Sequence, residues 1–136
     1  MFMKIKIINL REKQNEKGNI LKILNKNEKY FKQFGEAYLS KVNRGSIKAW
    51  KKHKKTHLNL IVISGIIKFV IYNDKKNTFE NIILKGGNRK KIYIPAGLWF
   101  GFKGIGKNNI ILSIASHAPN EKEILKKKTK EIKFNW

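Results

Sequence analysis

The side chains best suited to proton transfer or metal binding are three histidines, His53, His57 and His117, in a sequence that contains no cysteine. The first two lie in a lysine-rich stretch that includes Lys48 and Lys51. Histidine titrates near neutral pH and can act as a general base, and in a β-strand Lys51 and His53 would point to the same side. Two histidines alone would hold a metal ion only weakly. The stretch therefore favours proton transfer over metal chemistry.

Two segments, residues 45–57 and 94–102, carry a distinctive spacing. Their spacing resembles the two motifs of the cupin superfamily. The first motif reads glycine, five residues, His-x-His and a glutamate, and the second reads Pro-x-Gly-x-x-His. Gly45, Pro95 and Gly97 match the turn positions of these motifs. The resemblance implies an all-β fold, a small cupin barrel of the double-stranded β-helix or jelly-roll type.

The metal-ligand positions of the cupin motifs are changed in this sequence. On the cupin pattern the first histidine falls on Lys51, the second on His53, the glutamate on His57 or Leu58, and the last histidine on Phe100. A divalent ion needs three or four converging lone-pair donors, which a protonated lysine and a phenylalanine do not provide. We therefore expect no bound metal and no other cofactor.

Among cupins, the chain resembles the metal-independent nucleotide-sugar epimerases, the dTDP-4-dehydrorhamnose 3,5-epimerase-like proteins. The similarity lies in residues 45–54 and 94–104 and in the ending 134–136. It implies an epimerase of a nucleotide-linked 4-keto-6-deoxy sugar. Such an enzyme removes a proton next to the ketone and returns it on the opposite face.

The same resemblance implies roles for individual residues. Lys48 corresponds to a cationic residue that faces the substrate, and Lys51 to the catalytic base. A lysine acts as a base near neutral pH only where burial or neighbouring charge lowers its pKa. We therefore favour His53 as the base, with Lys51 stabilising the enolate oxygen. The family's acid is a tyrosine late in the chain; this sequence lacks it, and His117 is the substitute candidate.

The predicted substrate-binding set contains six further residues, each with a structural alternative. Trp50 and Trp99 could stack on the substrate or pack in the core or an interface. His57 could be a hydrogen-bonded barrel histidine, and Asn59 could point into the cavity or outward. Tyr38 and Tyr72 could line the cavity or cap strands.

Other functions also fit the sequence. Residues 53–55 and the turn at Gly65 are similar to small 3,4-ketoisomerases of dTDP-6-deoxyhexoses, whose first motif histidine also falls on Lys51. Because the catalytic positions have changed, a non-catalytic sugar-nucleotide binding module is another alternative. Nucleic-acid binding is supported by charge alone.

The net charge is strongly positive, with 31 Lys and Arg against 9 Asp and Glu, or +22. Lysine supplies nearly all of it, and Arg11, Arg44 and Arg89 are far apart. Nucleic-acid binders more often use arginine interleaved with aromatic residues. We therefore expect a solvated lysine surface without a specific nucleic-acid partner, able to attract the pyrophosphate of a nucleotide-linked substrate.

The length and hydrophobicity set the organisation of the chain. A chain of 136 residues, 41% of them hydrophobic, predicts one folded cupin-like domain over residues 1–136. No signal peptide is recognisable, and the most apolar stretch, 58–72, is too short to span a bilayer, so no membrane partner is expected. The lack of cysteine favours the cytoplasm. Exposed edge strands and the resemblance to epimerases predict a homodimer.

The elements that would position the candidate site residues are predicted to be short β-strands. Residues 58–63 and 66–72 predict a central hairpin around Ser64 and Gly65. Further strands are expected over 20–24, 36–42, 46–50, 79–84, 91–94 and 110–115. About eight strands suit a small closed barrel. The acidic start and basic end of residues 120–128 predict a short C-terminal helix.

Overall fold

The computed structural model describes residues 4–136, which form β-strands and two single-turn 3-10 helices. The strands are β1 (Lys6–Asn9), β2 (Arg11–Lys13), β3 (Ile20–Lys22), β4 (Glu36–Val42), β5 (Ile47–His53), β6 (Leu58–Ser64), β7 (Ile66–Asn73), β8 (Thr78–Lys85), β9 (Lys90–Ile94), β10 (Trp99–Gly104), β11 (Asn109–Ala115) and β12 (Ile124–Lys126). The 3-10 helices are Glu121–Glu123 and Thr129–Glu131. The predicted all-β fold is confirmed.

Most strands belong to two antiparallel five-stranded sheets. The first sheet has the order β1-β9-β6-β11-β4, and the second has the order β12-β5-β10-β7-β8. Strands β2 and β3 form a separate two-stranded ribbon. The two larger sheets bury one hydrophobic core between them, as in a jelly roll.

Strand alternation explains how the core is filled. In β11, buried positions alternate with half-buried ones from Asn109 to Ala115, so one face of the strand meets the core. Leu58, Leu60 and Val62 of β6 face the same core. Phe69, Ile71 and Phe100 fill it from the second sheet.

The predicted central hairpin is wrong in its pairing, although both strands are present. Strand β6 pairs with β9 and β11 in the first sheet, whereas β7 pairs with β8 and β10 in the second. Only Gly65 lies between them, and even the shortest common hairpin loop has two residues. Gly65 has a φ of 82°, and an added Cβ would lie 2.2 Å from Asn109 Oδ1. It forms a corner between the sheets instead of a hairpin loop.

The predicted C-terminal helix over 120–128 is also wrong beyond its first turn. After the 3-10 turn Glu121–Glu123, strand β12 extends the second sheet by pairing Ile124 with His53 and Lys126 with Lys51. The acidic start is capped locally, because the Asn120 side chain accepts a hydrogen bond from the Lys122 N–H. Pairing with β5 satisfies the backbone groups that a helix would have used. Within residues 4–136, no helix has the length and apolar character needed to cross a bilayer.

The end of the chain covers the outer face of the second sheet. Ile132, Phe134 and Trp136 pack there against Trp50 and Val70. The Trp50 and Trp136 rings lie 5.2 Å apart between centroids. At Trp50 and Val70 both faces of this sheet are therefore buried, one by the core and one by the tail.

Candidate active site

A cavity of about 630 Å³ opens between the two sheets, a size in the usual range for small-molecule sites. Its walls come from β4, β5, β6, β10 and β11 and from the segment 117–127. The second sheet contributes His53, Lys51 and Lys48, and the first contributes Tyr38. His117 follows the end of β11. The structure thus brings together all three predicted catalytic residues and three of the predicted substrate contacts, Lys48, Tyr38 and Trp50.

His53 and Glu123 form a closely bonded polar pair in this cavity. The distance between His53 Nδ1 and Glu123 Oε1 is 2.6 Å, and both side chains are largely buried. His53 closes β5, and Glu123 precedes β12, so the pairing of β12 with β5 holds the two groups together. The His53 ring stacks against Phe100, with the centroids 5.9 Å apart.

Glu123 accepts several hydrogen bonds besides that of His53. Thr56 Oγ1 donates to Oε1 at 2.6 Å, and the backbone N–H groups of Lys54 and Lys55 donate to Oε2 at 3.0 and 3.2 Å. Burial alone would raise the pKa of Glu123, but hydrogen bonds from Thr56, His53 and the Lys55 backbone, with the charge of His53, lower it to about 2. Glu123 is therefore a carboxylate at neutral pH.

An ionised carboxylate fixes the protonation pattern of its histidine partner. Because a carboxylate only accepts hydrogen bonds, His53 must place a hydrogen on Nδ1. In the neutral ring, Nε2 then carries the lone pair. This is the arrangement of a general base oriented by a carboxylate.

The lysines of the cavity wall are positioned to meet negative charge. Lys51 is exposed and pairs in register with Phe100 of β10. Lys48 is also exposed, and its Nζ donates to the Lys41 carbonyl at 3.1 Å. Lys126 and Lys127 extend the basic wall from the chain end. Because Lys51 is exposed, it lacks the burial that a lysine base would need.

His117 and Tyr38 lie on the first-sheet side of the cavity. His117 Nδ1 lies 2.8 Å from Ser116 Oγ. Burial raises the pKa of Tyr38, and the charge of Glu36 adds to this effect, against an opposing hydrogen bond with Ser113. Tyr38 therefore keeps its phenolic proton at neutral pH.

His57 and Asn59 lie outside the cavity, on the outer side of the first sheet. His57 Nδ1 is 2.6 Å from the Tyr93 hydroxyl, and the two rings stack. Burial lowers the pKa of His57, as do the nearby charges of Lys32 and His117. Asn59 Nδ2 donates to the Tyr30 carbonyl at 3.1 Å. His57 is thus a hydrogen-bonded histidine of the barrel, and Asn59 points outward, away from the cavity.

Trp50, Trp99 and Tyr72 pack on the outer side of the second sheet. Trp50 borders the cavity, but it is 1% exposed, and its Nε1 donates to the Thr129 carbonyl at 3.1 Å. Trp99 Nε1 donates to Asp74 Oδ2 at 3.2 Å, and Tyr72 donates to Asn77. Both tryptophans thus pack against neighbouring residues of the protein. Tyr72 does not line the cavity.

Sequence reasoning missed Glu123, Thr56 and Ser113 as cavity residues. Glu123 is one of only nine acidic residues, which is the one signal that could have marked it. The charge pattern around it indicated a helix start instead. Among residues 4–136, no three His, Asp or Glu side chains cluster as metal ligands.

Both the sequence and the fold are similar to those of known proteins. The model of the protein family described as FdtA, WxcM-like, C-terminal, matches residues 3–134. A dTDP sugar isomerase from Desulfovibrio desulfuricans G20 superposes with a TM-score of 0.83 at 24% identity, covering 93% of this chain and 85% of that one. No curated protein sequence matches the chain significantly.

Two further solved structures share the architecture. The TDP-quinovose 3,4-ketoisomerase from Campylobacter jejuni has a TM-score of 0.81 at 21% identity, covering 93% of this chain and 95% of that one. The dTDP-4-dehydrorhamnose 3,5-epimerase from Bacillus anthracis str. Ames, which has TDP and PPi bound, has a TM-score of 0.83 at 18% identity, covering 97% and 84%. These similarities establish the predicted cupin fold for residues 4–136.

Proposed function

Since the chain belongs to the family described as FdtA, WxcM-like, C-terminal, we propose that it epimerises a nucleotide-linked 4-keto-6-deoxy sugar by metal-independent proton transfer next to the ketone. The observation that carries this proposal is the His53–Glu123 pair within the cavity. The structural neighbours are named as a dTDP sugar isomerase, a TDP-quinovose 3,4-ketoisomerase and a dTDP-4-dehydrorhamnose 3,5-epimerase. We place the protein in the cytoplasm, as its cysteine-free sequence favours.

In the proposed reaction, His53 Nε2 takes the proton from the carbon next to the ketone. The C–H bonding pair becomes the new C=C bond, and the carbonyl π electrons move to oxygen as an enolate. Lys51 stabilises that oxygen, and Glu123 stabilises the imidazolium that forms on His53. Lys48, with Lys126 and Lys127, offers positive charge to the pyrophosphate.

A second function, 3,4-ketoisomerisation, is supported by the similarity to a solved ketoisomerase. This chain covers 95% of the Campylobacter jejuni ketoisomerase but 84% of the Bacillus anthracis epimerase. Both reactions begin with removal of the proton next to the ketone. They differ in product, because the ketoisomerase moves the carbonyl to the neighbouring carbon while the epimerase inverts a stereocentre.

The function is tested by incubating the protein in D₂O with a panel of nucleotide-linked 4-keto-6-deoxyhexoses. We expect deuterium at the carbon next to the ketone, with EDTA leaving the rate unchanged. NMR of the product separates an inverted centre from a moved carbonyl. Absence of exchange with every sugar would contradict the proposal, and calorimetric binding of the same sugars without exchange would favour the binding module.

We also propose that the protein is a homodimer. The outer face of the first sheet exposes apolar side chains, with Leu39 65% and Ile63 47% exposed, and edge strands invite pairing with a second chain. Light scattering is expected to give twice the chain mass of 15.9 kDa at micromolar concentration. A mass of one chain would contradict this prediction.

A further inference from the structure

The charges that line the cavity are separated along the strand direction. Glu36 begins β4 and lines the cavity on the side of the first sheet. Lys48 Nζ, from the second sheet, donates to the carbonyl of Lys41 near the other end of β4. Lys41 is five residues after Glu36, which is about 17 Å along an extended strand. Lys48 and Glu36 therefore lie toward opposite ends of the cavity.

Glu36 is at the end of the cavity that also holds His53. The N–H of Gly35, just before it, donates to the Ala115 carbonyl at 2.8 Å, and a Cβ on Gly35 would lie 2.0 Å from the backbone of His117. The missing side chain thus lets β4 begin directly beside His117. Ala115 also pairs with the first residue of β6, which follows the end of β5 after a short loop. Because β5 ends at His53, the start of β4 and the end of β5 meet at this end.

The Glu36 carboxylate has unused capacity to accept hydrogen bonds. Within residues 4–136, no hydrogen bond or ion pair engages it, and the side chain is half-buried in the cavity wall. The other two cavity carboxylates are engaged. Glu123 binds His53, and Glu121 pairs with Lys126 at 3.3 Å. Glu36 is therefore the cavity carboxylate that is left to meet a bound molecule.

Opposite charges at the two ends impose a direction on a bound nucleotide sugar. The pyrophosphate is attracted by Lys48 and repelled by the Glu36 carboxylate. The reacting carbon must lie beside His53, which is at the Glu36 end. The sugar therefore occupies the end with Glu36, and the pyrophosphate extends toward Lys48.

We propose that the Glu36 carboxylate accepts a hydrogen bond from a ring hydroxyl of the sugar and thereby selects sugars that carry it. A carboxylate only accepts hydrogen bonds, and a 4-keto-6-deoxyhexose has hydroxyl donors between its ketone and the carbon that bears the nucleotide. The inference rests on the proposed function for its substrate class. In this role Glu36 determines specificity and takes no part in proton transfer.

The test measures binding by calorimetry, with dTDP, a dTDP-linked 4-keto-6-deoxyhexose and its analogues that each lack one ring hydroxyl. In Glu36→Ala, we expect the parent sugar nucleotide to bind about 10-fold more weakly, as is typical for losing a hydrogen bond to a charged group. Binding of dTDP alone should not weaken, because the pyrophosphate lies at the other end. One deoxy analogue should bind wild type about 10-fold more weakly than the parent does, and Glu36→Ala should weaken it no further.

Two further variants control for charge and for side-chain size. Glu80→Ala is the matched control, because it removes an exposed carboxylate of β8 that lies outside the cavity. It changes the net charge equally and should leave all these affinities close to wild type. Glu36→Gln keeps the size of the side chain but replaces the charged acceptor with a neutral one. We expect it to weaken binding of the parent sugar nucleotide by less than Glu36→Ala does.

Several outcomes would overturn the assignment of Glu36. Unchanged affinity of Glu36→Ala for the parent sugar nucleotide would exclude the contact. Equal weakening of dTDP and the sugar nucleotide would indicate a structural defect, and additive losses with every deoxy analogue would exclude a hydroxyl as the partner. If wild type binds the sugar with the expected dependence on Glu36 but exchanges no proton, the hydroxyl contact is supported and the proposed function is contradicted.

Discussion

The variant His53→Asn is expected to lose exchange of the substrate proton about 100-fold or more, the usual effect of removing a general base. Asparagine can still donate its side-chain N–H toward Glu123, so the buried carboxylate keeps a partner. It offers no ring nitrogen to accept the substrate proton. Exchange is measured by NMR in D₂O, and binding of the same sugar nucleotide by calorimetry should be nearly unchanged.

His57→Asn is the matched control for His53→Asn. It makes the same substitution at a histidine that lies outside the cavity and contacts Tyr93. We expect exchange close to wild type at temperatures where this variant is folded. Full exchange activity in His53→Asn would overturn the assignment of the base, and Lys51→Ala would then become the variant that identifies it.

The variant Glu123→Gln should also lower exchange about 100-fold. The amide can present an N–H to His53 Nδ1, which would move the histidine hydrogen to Nε2 and remove the lone pair that accepts the proton. The charge-assisted bonds from Thr56, Lys54 and Lys55 would weaken as well. We expect a loss of about 2 kcal/mol in the free energy of unfolding at pH 7.

The effect of Glu123 on stability should depend on pH. Its folded-state pKa of about 2 lies below the ordinary value of 4.5, so the folded protein favours the ionised form. The stabilisation is therefore complete above pH 4.5 and declines as the pH falls toward 2. Urea unfolding of wild type and Glu123→Gln should give curves that converge across this range. A difference that stays constant from pH 7 to pH 3 would contradict the ionised pair.

The strands were predictable because their residues alternate, but their partners were not. Residues 36–42 match β4 as predicted, since the pattern depends only on local sequence. The hairpin failed because β6 and β7 have their partners far along the chain, in β11 and β10. Residues 99–104 were interpreted as motif positions, although they form the strand β10 beside the site.

The site was predictable where a motif carried it and not where the fold assembles it. His53 and Lys51 come from one strand, whereas Glu123 lies 70 residues from His53. The tryptophans remained ambiguous for another reason. Alternation distinguishes two faces of a strand, but around these tryptophans both faces of the second sheet are buried, the outer one by Ile132, Phe134 and Trp136.

The seventy residues that separate His53 from Glu123 also bear on when the pair can form during folding. Closing a long loop costs chain entropy before any contact offsets it, so non-local strand pairing is slow. Strand β5 can pair with β10 before the chain end arrives, but β12 must dock on β5 to place the carboxylate. A chain in which β12 has not docked would lack the carboxylate partner of His53. The proposed base is therefore oriented only where β12 is docked on β5, and the same end of the chain covers Trp50.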